Sequence, residues 1–254
     1  MGILIYAEGT NIEFETELKY YGKLPAQIVR FGSDMDIISS AAYFGGHVTS
    51  RNVVFAQVDK DFDCPDLEGY ILDMLTELEL PKDTVVLLTA AEVEYVFTVE
   101  KGEYRGREEY AVVTAGLSNQ VVAGDELTNW DERHRISLER SRTLYHPGTI
   151  NIMSIFREPL DPAAKVNAVI AVTEAKTAAM NILGYVETGT TSDAVAIASP
   201  KGDEWTFAGT GSDHGIAASR AVRSGVCKAL IKRNDFPVDM DESRKSEIRK
   251  EFGF

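Results

Sequence analysis

A chemically unusual turn sits inside an apolar stretch: residues 168–172 and 178–180 are wholly apolar, yet the segment between them reads Thr173, Glu174, Ala175, Lys176, Thr177. Helical offsets of three, four and seven put Thr173, Lys176, Thr177 and Met180 on one face, with Glu174 and Lys176 roughly 160° apart. The two charges therefore do not pair within the helix. Lys176 falls among Val169, Val172, Thr173, Met180 and Leu183, where desolvation would disfavour its ammonium form and make it a better base. The alternative is a lysine whose stem covers apolar surface while its charge reaches water. Glu174, Lys176 and Thr177 are the catalytic candidates: two groups able to move a proton and one hydroxyl.

A second signal is a set of glycine and hydroxyl clusters at the ends of expected strands. They are Ser39 and Ser40 with Gly45 and Gly46; Thr89; Thr114, Gly116, Ser118 and Asn119; Gly148, Thr149 and Asn151; Thr188, Gly189, Thr190 and Asp193; and Gly209, Thr210 and Gly211. Such turns expose backbone N–H groups that can receive an oxyanion or cradle a polar ligand. Any one of them is ordinary turn chemistry. Their recurrence after strands is what carries meaning.

The elements that must position these groups follow from periodicity. Strands are expected at 2–6, 27–31, 53–58, 84–88, 93–99, 110–114 and 150–156, and residues 36–44 carry a strand into the Gly45–Gly46 turn. The 93–99 strand should pair with 110–114 as a hairpin, and 194–198 with 205–208 as another about Lys201, Gly202 and Asp203. Helices are expected over 67–78, closed by Pro81, over about 163–183, and over about 214–232. Asp161 caps the second of these, Pro162 opens it and Gly184 closes it. Residues 125–145 read as a polar surface excursion and 239–254 as a charged tail. Hairpins mixed with long helices give an α+β class, a mixed or antiparallel sheet covered by helices in one domain spanning 1–254.

Composition narrows the function. With 254 residues and 44% hydrophobic content the chain can bury a substantial core. A net charge of −14 argues against nucleic acid, which is bound through cationic neutralisation of phosphate. No run reaches the roughly 18 apolar residues of a membrane span, so a soluble, cytoplasmic protein is expected. The two cysteines, Cys64 and Cys227, fit no metal spacing, nor do His47, His134, His146 and His214, and no metal site is expected. There is no GxSxG elbow, HExxH helix, complete P-loop or GxGxxG fingerprint.

Read in order, SSAAYFGG at 39–46, LLTAAEV at 87–93, VTAGLSN at 113–119, AG at 123–124, PGTINI at 147–152, TEAKTAA at 173–179, TGTTSDAV at 188–195 and AGTG at 208–211 resemble the adenosylcobinamide amidohydrolase (CbiZ) family over about residues 37–230. The chain departs from that pattern at Thr191–Ser192 and at Ser212, Asp213 and His214. The resemblance implies cleavage of the amide joining aminopropanol to the corrin side chain of adenosylcobinamide, with the corrinoid as substrate and no cofactor. For that reaction Glu174 or Lys176 is expected to serve as the base, acting on water or on a hydroxyl such as Thr177, with the amides near Gly189 or Gly46 receiving the oxyanion, the clusters binding the corrinoid and Asn119 and Asn151 holding its amides. A homo-oligomer is compatible with this reading. The competing readings are a corrinoid carrier without catalysis and an amidase of other specificity using a hydroxyl nucleophile.

Overall fold

The structure, a computed structural model, describes residues 13–126 and 148–254 and the backbone of 3–6. The expected polar excursion at 125–145 lies almost wholly outside the described residues. In chain order the elements are β1 (Ile3–Tyr6), β2 (Glu13–Tyr21), β3 (Leu24–Ser39), β4 (Gly46–Gln57), α1 (Leu67–Glu77), β5 (Val85–Thr89), α2 (Val93–Val96), β6 (Thr98–Tyr104), β7 (Arg107–Ala115), β8 (Gln120–Val121), β9 (Ile150–Ile155), α3 (Pro162–Ile182), β10 (Gly189–Thr190), β11 (Ala194–Pro200), α4 (Asp213–Lys232) and α5 (Glu242–Glu251).

The spine is β3, whose 16 residues are shared between two halves of one nine-stranded mixed sheet. Its first half pairs with β2 and its last residues with β11, while β4 runs antiparallel along the other side and shifts register between Arg30 and Met35. An irregularity of this kind bends a strand and raises its twist. The halves therefore fold towards each other. Phe14, Phe31, Met35, Ile37 and Phe55 from one half meet Tyr110, Val112, Met153, Ile155 and Ala198 from the other in a buried core. Strand alternation sends the opposite faces outward, where α1 packs on Ile28, Val54 and Val86, and α3 and α4 pack on Val113, Ile152 and Ile197. The resulting order is helix, sheet, sheet, helix, an α+β arrangement as the mixed pattern predicts.

Helix boundaries follow local chemistry. Asp161 accepts from the Ala164 amide at 2.7 Å with Pro162 next to it, and Gly184, at φ 88°, ends the segment in the left-handed conformation. Three expectations fail. Residues 93–96 form a short helix rather than strand, pinned by the Gln57 side chain accepting from the Val93 amide at 3.0 Å, and β6 begins only at Thr98. No hairpin joins 194–198 to 205–208, because β11 already has β3 on one edge and β9 on the other; Trp205 makes only an isolated bridge to Leu160. The 239–254 tail contains α5, capped by Asp241 and anchored by the buried Ile248. Strand β2 escaped notice because charges interrupt its apolar alternation.

Cys64 is partly exposed and Cys227 buried, and neither is in a disulfide. Burial pushes the Cys227 thiol up to about 12. Alkylation of the native protein at pH 8 should modify Cys64 and leave Cys227 untouched until denaturant is added, as mass analysis would read. A sharper packing test is Gly102 on β6. A methyl there would run into the Ala217 carbonyl of α4, with the Ala221 nitrogen 2.6 Å away. Gly102→Ala should lower the urea midpoint without changing the slope, a loss of about 1–3 kcal/mol or more.

Candidate active site

Asp193, in the turn between β10 and β11, accepts four hydrogen bonds. Lys176 of α3 donates to Oδ2 in an ion pair, the Thr190 amide donates to the same oxygen at 3.0 Å, and Oδ1 receives the Thr190 hydroxyl at 2.5 Å and the Ile150 amide of β9 at 3.0 Å. Both charged side chains are about nine-tenths buried. Gly189 makes the arrangement possible, since a side chain at that position would strike both the Lys176 ammonium and the Asp193 carboxylate. Around this centre the Thr149 hydroxyl lies 2.9 Å from that of Ser192, and the Asn119 amide donates to the Thr191 hydroxyl at 2.6 Å.

Beside it the facing inner surfaces of the two sheet halves come to their end. Alternation from Met35 and Ile37, Tyr110 and Val112, and Met153 and Ile155 continues inward-facing to Ser39, Thr114 and Asn151. Registers set Ala194, Asn151 and Thr114 in one row, with Ser39 in the next row inward, opposite Ala196. The row is small and polar where the rest of the inner face is large and apolar. Asn151 donates across the gap to the Leu88 carbonyl of β5 at 2.8 Å. Its Oδ1, the Thr114 hydroxyl and the Asn119 Oδ1 are buried with no hydrogen-bond partner. Buried polar atoms are nearly always paired, so three orphans in one neighbourhood mark a place built for an additional partner.

The segment at 40–45 closes this end. Ser40 exchanges hydrogen bonds with Val195, its amide donating to the carbonyl at 3.0 Å and its hydroxyl accepting from the amide at 3.1 Å. Ala42 and Tyr43 bond the backbone of Val86. Phe44 adopts φ 50°, a conformation costly for an aromatic residue, followed by Gly45, whose Cβ would meet the Ala41 carbonyl at 2.7 Å, and Gly46 at φ 80°. The loop is wound so tightly that only glycine fits after Phe44.

Most of the residues singled out by sequence thus come together: Ser39, Ser40, Gly45, Gly46, Thr114, Asn119, Thr149, Asn151, Lys176, Gly189, Thr190 and Asp193 share this end of the sheet. Gly116 and Ser118 pack against Gly148 so closely that no side chain could stand there. Thr188 and Thr177 form the outer edge, where the Thr177 hydroxyl donates to the Thr188 carbonyl at 3.2 Å and the Thr188 hydroxyl accepts from the Ala123 amide at 2.8 Å. Two candidates lie elsewhere. Glu174 is exposed on the outer face of α3, and Thr210 is exposed at the opposite end of the sheet, just before α4. Its glycine-flanked turn serves helix entry: the Ser212 hydroxyl caps α4 by accepting from the Gly215 amide at 2.9 Å. Among the described residues no group of three or more His, Cys, Asp and Glu side chains is placed to hold a metal ion, and no helix is long and apolar enough to cross a membrane.

The family described as CbiZ, adenosylcobinamide amidohydrolase, matches residues 11–237, a wider span than the sequence motifs alone covered. An adenosylcobinamide amidohydrolase of Methanosarcina mazei is 26% identical over 86% of this chain and 100% of its own length. One of Halobacterium salinarum is 29% identical over 80% of this chain and 84% of its own. Among solved structures, the PH0078 protein of Pyrococcus horikoshii OT3 covers 96% of this chain and 92% of its own at 11% identity, with a TM-score of 0.43, too low to bear on fold or function.

The buried pair makes a measurable claim. Asp193→Asn leaves Lys176 charged, buried and without its counter-ion, and should cost about 3–5 kcal/mol in chemical denaturation. Adding Lys176→Met to that variant should return part of the loss, which a double-mutant cycle would read.

Proposed function

Since the chain belongs to the adenosylcobinamide amidohydrolase family, a family of amide-bond hydrolases, we propose that it cleaves the amide between aminopropanol and the corrin side chain of adenosylcobinamide. The products are adenosylcobyric acid and aminopropanol, and the reaction is a step of corrinoid salvage. The observation that carries this reading is the set of unpartnered buried polar atoms, Thr114 Oγ1, Asn151 Oδ1 and Asn119 Oδ1, at the same end of the sheet as the Lys176–Asp193 pair. A corrinoid edged with primary amides offers N–H donors to two carboxamide oxygens and both donor and acceptor to a hydroxyl.

Amide hydrolysis has to activate a nucleophile, stabilise a tetrahedral oxyanion and protonate the leaving amine. One oxyanion donor contributes about 3–4 kcal/mol and acid–base assistance about 100- to 10,000-fold in rate, so several groups must converge. Of the three catalytic candidates, Lys176 lies closest to that convergence: Asp193 fixes its Nζ, whose other N–H bonds remain able to donate to the oxyanion or to pass a proton to the departing amine. Thr177 is engaged with Thr188 at the edge, and Glu174 faces outward. Asp193 is a positioning residue, its two oxygens already occupied. Backbone N–H groups near Gly189 or Gly46 receive the oxyanion in this scheme, the amides of Thr190, Ser40 and Ala42 being already taken by Asp193, Val195 and Val86, and Asn119 and Asn151 hold corrin amides. No cofactor takes part in this scheme, the corrinoid being the substrate.

Purified protein incubated with adenosylcobinamide should release aminopropanol stoichiometrically; binding without release would instead identify a carrier, and a trapped acyl-enzyme a hydroxyl nucleophile. Lys176→Met should lower kcat by at least about 100-fold while Glu174→Gln stays near normal. Normal turnover in Lys176→Met would remove α3 from the mechanism. Asn151→Ala should act chiefly on KM, about tenfold, if it holds substrate rather than reacting atoms.

A further inference from the structure

Helix α3 holds a second buried lysine that the hydrolysis scheme does not use. Lys165 is 0% exposed, and its ammonium donates to Asp36 Oδ2 of β3 at 2.8 Å and to the Leu160 carbonyl. It stands eleven residues before Lys176, so the two lysines point within about 20° of each other and about 16 Å apart along the axis. Lys165 is tied to β3, and Lys176 through Asp193 to the turn that enters β11, the strand paired with β3. The buried residues between the two lysines are Ala168, Ala171, Val172 and Ala175. Such short side chains raise shallow ridges and fix the lengthwise position of a helix poorly. The two ion pairs therefore decide where α3 stops against the sheet.

The first tie does not end at Asp36. Its other oxygen, Oδ1, takes a hydrogen bond of 2.7 Å from His47 Nε2. A carboxylate ionised beside an ammonium only accepts, so Nε2 carries a proton whatever the state of the other ring nitrogen. His47 follows Gly46, where the 40–46 loop enters β4, and lies opposite Ile38 just as Gly46 lies opposite Ser39. One carboxylate thus joins the exit of that loop, strand β3 and the helix that presents Lys176. Stability alone gives no reason for this arrangement, since replacing a buried ion pair by apolar residues of similar size is often neutral or stabilising.

We infer that His47, Asp36 and Lys165 are positioning residues for the hydrolysis, a relay that holds the 40–46 loop and the Lys176 helix in one fixed relation. The inference rests on the reading of Lys176 as the group that acts on substrate. None of the three residues touches the reacting atoms; each acts through the elements it joins. A reactive group displaced by only about 1 Å can lose on the order of 100-fold in rate, so a relay remote from the chemistry can govern kcat.

Four measurements on the full-length protein test this. His47→Ala alters an exposed side chain, and should lower kcat about tenfold or more with KM within about twofold of wild type and the urea midpoint unchanged. His47→Gln, which keeps an N–H donor, should recover most of that loss. Asp36→Leu combined with Lys165→Met should leave the urea midpoint at or above wild type and still lower kcat. Hydrogen exchange over residues 40–46, read by mass spectrometry, should be about tenfold faster in His47→Ala and should return towards wild type in His47→Gln. Normal kcat in His47→Ala, a rise in KM alone, or a kcat loss that merely follows a falling urea midpoint would overturn the assignment, and the His47 variants decide it even if the double variant fails to fold. If the wild-type protein releases no aminopropanol from adenosylcobinamide, the amidase reading falls and with it the role in hydrolysis, whereas normal hydrolysis with unchanged exchange in His47→Ala removes the relay alone.

Discussion

One carboxylate holds the candidate active site in shape. Asp193 gathers an ammonium from α3, an amide from β9 and both an amide and a hydroxyl from Thr190, so three elements meet on two oxygens. A buried ion pair of this kind adds little to net stability, because desolvation offsets the attraction, but it is intolerant of rearrangement. Sliding β11 by one residue against β9 would strip the Ile150 amide from Asp193 and turn every side chain of the strand to the wrong face. The pair therefore fixes the register of the strands that carry Asn151, Ala194 and Ala196, and through them the shape of the cleft.

The cleft itself follows from the bent spine. Because β3 serves both halves, their inner faces meet along most of its length in an apolar core, and the site lies where that core stops. At that edge large residues give way to Ser39, Ala194, Ala196, Thr114 and Asn151, which leaves buried polar atoms without partners. Packing elsewhere is tight enough that glycine is required at Gly102 and Gly148.

How much of this the sequence discloses depends on whether the signal is local. The capped α3, α1 and α4, the α+β class and the membership of most of the site were legible because capping, periodicity and glycine-rich strand ends are short-range features. The Lys176–Asp193 bond was not, since the partners are 17 positions apart on different elements. The same limitation misplaced Thr210: a Gly-Thr-Gly turn looks like its counterparts until topology assigns it to the other end of the sheet. Residues 93–96 went wrong because β-branched content favours strand, whereas the Gln57 side chain, reaching from β4, anchors a helical turn. The Lys165–Asp36 contact spans 129 positions and no spacing rule could have found it.

The shared spine also imposes an order on synthesis. The backbone of Ser40 meets that of Val195, 155 positions later, so β3 leaves the ribosome roughly 10 to 30 seconds before the strand that completes its edge. Strands β2 to β5 and α1 can assemble in that interval, but the apolar inner face of that half, with Phe14, Phe31 and Phe55, has nothing to lie against until β7, β9 and β11 arrive. A nascent chain of this topology is accordingly a natural client for chaperones that shield aromatic surface, and slowing translation between residues 60 and 195 would lengthen its exposure.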